Sequence, residues 1–548
     1  MHPGGGPVKS LPKRRLSLII AVAEGIAVRI AALILAVLFI VLSILAVVLG
    51  ILIVLGILIV VIVKRIVVLL IVRIVVHFIT PLSLYIVRIG PGFYAKDEKV
   101  MDLPGKFLEK LERFPDSVRE EYLRLLPEKP FSGYRVNTLK ASVGEVSAVL
   151  GGRAVPFCTN GFYLENGREG LGNHPLHHAG AFYIQEPSAM SAVEMLAPQP
   201  GDRVLDLCAA PGGKSTQIAA ALNGRGVLAA NELVVSRART LLSNIERTGV
   251  PNAVVTAQRP DLLCAAAAGY FDKVLVDAPC SGEGMFRKEP AAVRNWSEEN
   301  VRACAVRQGK ILDSAALAVR PGGRICYSTC TFSPEEDEGV VAAFLQRHPD
   351  FYLADGGVRF GIPGFPDFGG GREDMRLCLR IFPAQGGEGH FAALLERDGG
   401  GEDPPAGTPL TEDPPPKAFS DFWNDCFCDP LPAVRAEGGR VLIPALLPEL
   451  SGIRPLRNGL LAGELVKGRF EPAHALFMCG RYTPRRILPL CAEEERTRRF
   501  LHGEQIEAPG LTDGFAGVRV NGVPCGFGKV VGGLLKNRYP KGLRLLRI

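Results

Sequence analysis

The run VLDLCAAPGGKSTQIA, residues 204 to 219, begins as an apolar strand, crosses a loop of small residues and ends as a helix. Ligands of open α/β sheets collect at the carboxyl ends of strands, so this junction is an expected binding edge. Its tail, GGKS, half-matches a phosphate loop, but that loop requires glycine where Cys208 stands, and no G-x-G-x-x-G follows the strand. Neither the nucleotide nor the dinucleotide fingerprint is met. Including this first strand, at 203–207, strand-like runs recur at 227–230, 253–256, 273–277 and 324–328, alternating with helical patterns at 215–223, 234–248 and 297–319. That cadence predicts a parallel, doubly wound, Rossmann-like α/β sheet, with 376–382 and 390–396 as an antiparallel pair at its edge.

Asp206 precedes the loop, and Glu232 closes the next strand in the run AANE. An acid there suits two ribose hydroxyls, which need a bidentate acceptor, and a tight glycine turn without phosphate-loop chemistry fits an S-adenosyl-L-methionine pocket. The fourth strand leads into VDAPCSGEG, residues 276 to 284, and the fifth into YSTCTFSPEEDE, residues 327 to 338. Asp277, Cys280 and Cys330 therefore fall on one ligand edge. A thiol and an acid facing one ring is what methylation of cytosine at C5 demands. A thiolate adds to C6, a proton or hydrogen bond is supplied at N3, and C5 becomes an enamine carbon able to attack a sulfonium methyl group. Ser333 and Pro334 read as the N-cap and first residue of a helix whose start would lower the pKa of Cys330. Spacing alone leaves open which thiol is the nucleophile.

At 548 residues and 47% hydrophobic, the chain can hold three or four domains. Its formal charge of +7 says nothing about nucleic acid, because residues 1–95 hold nine Lys or Arg against Glu24 alone and the remainder carries a net charge of −1. Thirteen cysteines, odd in number and irregular in spacing, point to free thiols in a reducing, cytoplasmic compartment. Ile30 to Val63 contains no charged residue. As a helix it would run roughly 50 Å, against the ~30 Å a bilayer core requires. Residues 1–95 thus read as a hydrophobic extension, either a membrane segment or the translation of a misplaced start with Met101 as the true beginning. The acidic, Gly- and Pro-rich stretch 398–417 reads as a linker. Beyond it many short strands follow, and from Gly514 there are seven basic residues and no acid, a local basic surface.

The motifs YRVNTLK (134–140), FYIQEPSAM (182–190), DLCAAPGGKS (206–215), ANE (230–232), VDAPCSGEGMFRK (276–288), YSTCTFSPEEDE (327–338) and RIFPAQGGEGHFAALL (380–395) occur in that order. Together they resemble the Nol/Nop/Sun family of S-adenosyl-L-methionine-dependent RNA cytosine-5 methyltransferases. GLLAGELVKGRFEPAHAL (459–476) and LLKNRYPKGLR (534–544) resemble the C-terminal half of its bacterial 16S rRNA branch. The resemblance implies a small N-terminal α+β RNA-binding region over 101–180, a class I methyltransferase sheet over 181–397 and a PUA-like, β-rich RNA-binding domain over 418–548. It implies Cys330 as nucleophile, Cys280 as the thiol that helps release product, and Asp277 as a contact to the base. Cys208, Ala209, Ala210, Pro211, Gly212, Gly213 and Lys214, with Glu232 and Asp277, would hold the cofactor. The implied partner is RNA, as 16S rRNA or a small-subunit particle, met by a monomeric enzyme that touches membrane only if residues 30–63 are genuine.

The sequence departs from the family at the polar group after the third strand that meets adenine, where Gln258 and Asp261 are the candidates. The pair Cys426 and Cys428 has no second pair at zinc spacing and reads as packing, so no metal is expected. Two rival readings stand beside the first: a tRNA cytosine-5 methyltransferase, and a catalytically silent ribosome-assembly factor that binds RNA. Intact Cys330, Cys280 and Asp277 oppose the second.

Overall fold

A computed structural model describes residues 103–165, 170–399, 414–445 and 452–545. The hydrophobic extension 1–95 and residues 400–413 of the expected linker lie outside the described residues. Among the described residues no helix is long and apolar enough to cross a membrane.

The central sheet is built from β1 (Arg203–Asp206), β2 (Val227–Asn231), β3 (Ala253–Thr256), β4 (Phe271–Asp277), β5 (Val319–Thr329) and β6 (His390–Arg397). The first five are parallel in the order β3, β2, β1, β4, β5, and β6 runs antiparallel beside β5. Successive side chains point to opposite faces, and here both faces are covered, which is why these strands read as unbroken apolar runs. Val204, Leu228, Leu275 and Cys326 meet helices Ser191–Leu196, Gly213–Leu222 and Val235–Arg247. Leu205, Ala229, Val276 and Tyr327 meet Pro260–Ala266, Glu298–Ala318 and Glu338–Arg347. The longest of these helices starts where Ser297 accepts the amide of Asn300 at 3.1 Å, with Glu298 and Glu299 in its first turn.

The expected antiparallel pair forms, Leu379 to Ile381 against β6, but β6 itself is interior, with β5 on its other side. The opposite edge is closed by a segment remote in sequence. Arg457–Asn458 pairs antiparallel with β3, and Arg457 meets Glu246 at 2.7 Å. Covering an edge strand removes a row of unpaired amides.

Ahead of this sheet lies a four-stranded antiparallel one, ordered Arg153–Val155, Cys158–Tyr163, Gly133–Val136, Phe182–Ile184. After it come a four-stranded sheet (435–472) and a five-stranded sheet (487–537). Tyr134, Val136 and Phe182 of the first small sheet share one core with Leu488, Val518, Cys525 and Val530 of the last and with Phe500 of the helix Glu495–His502. The two ends of the described chain are thus one packed body.

Candidate active site

Strands β4 and β5 are in register with Asp277 opposite Ser328, so the loops that leave them run side by side. The amide of Ala278 donates to the carbonyl of Ser328 and that of Gly284 to the carbonyl of Cys330, each at 2.9 Å. The hydroxyls of Ser281 and Thr331 meet at 2.8 Å, and the sulfurs of Cys280 and Cys330 lie 3.2 Å apart. Gly284 permits this closeness, since a Cβ there would sit 2.7 Å from the Gly389 carbonyl and 2.9 Å from that of Cys330. Beneath the loops, buried Glu283 accepts from the amide of Phe332, the Ser333 hydroxyl and the Trp296 indole, and pairs with Lys110 at 3.1 Å. Arg380, also buried, donates to Glu338 at 2.8 Å and meets Asp337 at 3.1 Å.

The helix expected to start at Pro334 starts at Glu338, after a turn over 334–337. Ser333 does not cap it, because its hydroxyl donates to Glu283. Cys330 therefore stands well ahead of the helix start. The positive charge facing Cys330 is the ammonium of Lys214, which also pairs with Asp277 at 2.9 Å. Burial pushes the Asp277 carboxyl up, but Lys214, His390 and the Ser328 hydroxyl outweigh it and hold the group below the usual carboxylate range. Asp277 is consequently an acceptor rather than a proton source. The hydrogen bond to Cys330, and after it burial, pushes the Cys280 thiol well up, so Cys280 keeps its proton beside its neighbour.

The loop after β1 is held through its backbone. The amide of Ala209 donates to Asn231, the carbonyl of Ala210 accepts from Arg237 and that of Pro211 from Asn244. Gly212 turns the chain into the helix at φ +114°, which a side chain rarely adopts. The side chain of Asn231 ties three strand ends together through Leu207, Thr256 and Gln258. Buried Glu232 accepts from the amide of Val234 at 2.9 Å and pairs with Arg237 at 3.1 Å. A cavity of about 860 Å³ runs from Glu232, Leu233 and Val234, past Cys208 and Ala210, to Asp277, Cys280 and Cys330, a volume ordinary for a small-molecule site. A smaller cavity of about 190 Å³ shares Cys208 and Asp277 with it and is lined further by Tyr183, Glu186 and Lys214.

Residues 193–396 match the family described as 16S rRNA methyltransferase RsmB/F. Residues 103–187 match the N-terminal domain of 16S rRNA methyltransferase RsmF, 421–479 the RsmF rRNA methyltransferase first C-terminal domain, and 490–545 the methyltransferase RsmF PUA domain. Over these stretches the chain is similar to the RsmB/F family. It is 41% identical over 262 residues to ribosomal RNA small subunit methyltransferase F of Escherichia coli O139:H28 (strain E24377A / ETEC) and, equally, of Shigella boydii serotype 18 (strain CDC 3083-94 / BS512). Those alignments cover 45% of this chain and 54% of each relative, so the chain spans about half the length of the curated relatives it matches. Among solved structures it is similar to a methyltransferase homolog protein from Pyrococcus horikoshii, with 28% identity, a TM-score of 0.46 and coverage of 54% of this chain and all of that one. It is also similar to NSun6 from Pyrococcus horikoshii with SFG, with 22% identity, a TM-score of 0.47 and coverage of 54% and 99%.

S-adenosyl-L-methionine is the cofactor of this family, and the residues present fit it. Glu232 offers two carboxylate oxygens at a strand end, Leu233, Val234, Pro260 and Ile311 offer an apolar wall, and the thiols stand at the far end of the same cavity. Cys208, Ala210, Glu232, Asp277, Cys280 and Cys330 line the larger cavity, while Ala209, Pro211, Gly213 and Lys214 line the smaller. Gly212 faces neither; a Cβ there would meet Leu241 at 3.2 Å. Of the two candidates after the third strand, Asp261 lines the larger cavity, paired with Arg259, whereas the backbone of Gln258 is tied to Asn231.

Sequence reasoning missed Arg237, Arg307 and Lys310 on the cavity wall, and Asn231 behind it. Only Asn231 had a local signal, inside the run AANE. It also missed His390, buried with Nε2 unpartnered and pushed down to about 4 by burial and by Lys214. Cys426 is buried and Cys428 exposed, and no group of metal-ligating side chains occurs among the described residues.

Proposed function

We propose that this protein methylates C5 of cytosine in RNA, with 16S rRNA in or near the small-subunit particle as substrate, through a covalent bond between Cys330 and C6. The observation that carries the reading is the contact of two thiols at 3.2 Å on the wall of the cavity that fits the cofactor, beside an ion pair of Lys214 and Asp277. When bound, S-adenosyl-L-methionine supplies an electrophilic methyl group. Cys330 adds as thiolate to C6, steadied by the S–H of Cys280 and the ammonium of Lys214. Asp277, ionised, accepts from the exocyclic amino group of the base. With C6 bonded to Cys330, C5 is the nucleophilic carbon that the cofactor's methyl group would alkylate, the methyl–sulfonium bond breaking with its electron pair left on sulfur.

Release needs the C5–H bond to break, its electron pair to form the C5–C6 double bond, and the C6–S bond to break with its pair returning to Cys330. While Cys330 is a thioether, Cys280 is free of the hydrogen bond that raised it most, so it can lose its proton to solvent and take the one from C5. Departure of Cys330 as thiolate restores the starting pair. The target base must leave its stack to reach these atoms, and the exposed Lys529, Lys536, Arg538 and Lys541 are suited to the surrounding phosphates. A cytoplasmic monomer is the working form in this reading.

Transfer of labelled methyl groups to small-subunit particles, with bisulfite sequencing of the 16S rRNA, tests the proposal. Cys330→Ala should lower methylation on the order of 10⁴-fold or more, as loss of a nucleophile does. Cys280→Ala should instead accumulate a protein–RNA adduct that survives a denaturing gel. Methylation at an unchanged rate by Cys330→Ala would sink the reading.

A further inference from the structure

Each buried acid on the two thiol loops has a cation except one. Glu283 has Lys110, Asp337 and Glu338 share Arg380, and Glu388 behind them has Arg287. Glu336, fully buried, has no ion pair among the described residues. One of its oxygens, Oε2, accepts the amide of Ser281 at 3.0 Å and the side-chain amide of Gln308 at 2.8 Å. The same Gln308 nitrogen also reaches the carbonyl of Pro279 at 3.1 Å. These two side chains therefore grip the Pro279–Cys280–Ser281 turn from behind. Two oxygens are left without a partner, Oε1 of Glu336 and Oε1 of Gln308. An ionised carboxylate offers an amide oxygen nothing, whereas a carboxylic acid beside an amide donates its own proton to it, and one proton then satisfies both orphans. The titratable groups facing Glu336 are Glu283, Asp337, Cys280, Cys304 and Tyr327, none of them cationic. Burial accordingly pushes its carboxyl up to about 7.

We propose that Glu336 and Gln308 are positioning residues, joined as a neutral acid–amide pair that holds the Cys280 turn against Cys330 and keeps negative charge away from Cys280. The proposal rests on the reading of Cys280 as the release thiol. A carboxylate at this place would hold Cys280 in its protonated form, so that the thiol could not take the C5 proton and the enzyme would stall as adduct.

The test uses the full chain and small-subunit particles in a single turnover, reading methyl groups transferred and the fraction of RNA in denaturant-stable adduct, with Cys280→Ala as reference. Glu336→Ala and Gln308→Leu should raise the adduct about tenfold, the loss of one or two net hydrogen bonds, while first-turnover methylation falls less than about twofold. Glu336→Gln, which can make the same two contacts to Gln308, should restore release. Gln308→Glu places two acids on one proton, so its release rate should fall as pH rises between about 6 and 8 more steeply than that of the unaltered enzyme. Adduct in Glu336→Gln at the level of Glu336→Ala would overturn the neutral pair, as would normal release by both Glu336→Ala and Gln308→Leu while Cys280→Ala is trapped. Absence of adduct in Cys280→Ala would instead overturn the role given to that thiol, and the inference with it. Should Glu336→Ala fail to fold, Gln308→Leu and Glu336→Gln decide the matter.

Discussion

The loop after β1 and the paired loops after β4 and β5 face the same cavity but are held in opposite ways. The first is made of Cys, Ala, Ala, Pro, Gly and Gly, is gripped through its carbonyls and amides by Asn231, Arg237 and Asn244, and carries one charge, Lys214. The others are pinned by buried side-chain charges, Glu283 against Lys110 and Asp337 and Glu338 against Arg380. A loop shaped to let a ligand lie against its backbone is limited by volume. Loops that must aim two sulfurs are limited by charge pairing, because an unpaired buried charge is far more costly than a small gap.

The sharpest way to break this contrast is Arg380→Met, which strands Asp337 and Glu338 in the interior. Stability in urea should fall by about 3–5 kcal/mol, and a loss under about 1 kcal/mol would show that the thiol loops do not depend on the pair. Next is Gly212→Ala, where φ of +114° and Leu241 both oppose a Cβ. A cost of about 1–3 kcal/mol, read in the same unfolding experiment together with weaker cofactor binding, would confirm that the first loop is limited by shape. Glu232→Gln leaves the fold in place but removes the charged acceptor, and calorimetry should find S-adenosyl-L-methionine bound about tenfold more weakly.

The smallest effect near neutrality concerns pH. His177 and His474 are pushed down to about 3 and His178 and His390 to about 4, in each case chiefly by burial. Folded, they bind fewer protons than unfolded, so the stability they confer is complete above the ordinary histidine value and is lost as pH falls through it toward 4. Glu336 has the opposite sign: its raised carboxyl lets stability slip as pH rises from the ordinary carboxylate value toward 7. Urea midpoints should therefore climb from about pH 4 to about 6.5, where the four histidines outweigh Glu336, and slip slightly toward 7, and Glu336→Gln should steepen the climb and lessen the slip.

Much of this was legible in the chain. β1 to β5 and three of their helices were placed because apolar runs and their periods are local properties, and Asp277, Cys280 and Cys330 could be assigned to one edge because strand ends in a parallel sheet converge. Ser333 misled, since an N-cap signature is also local, and a glutamate fifty residues earlier, itself anchored by Lys110, competed successfully for the hydroxyl. Lys214 was visible only as part of a glycine loop, not as the cation that ionises Asp277.

By itself the sequence determined the parallel sheet, the backbone-lined turn and the presence of two thiols and an acid at strand ends, because hydrophobic period and turn chemistry act over a few residues. Only the tertiary structure decided that the sulfurs touch, that Asp277 is an acceptor, that Arg457 and Asn458 close the sheet, that both ends of the described chain share a core, and that Glu336, unlike the other buried acids of the two thiol loops, has no ion pair among the described residues. Those outcomes depend on which distant side chains packing brings within a few ångströms, and burial then sets the cost of every charge that arrives without a partner.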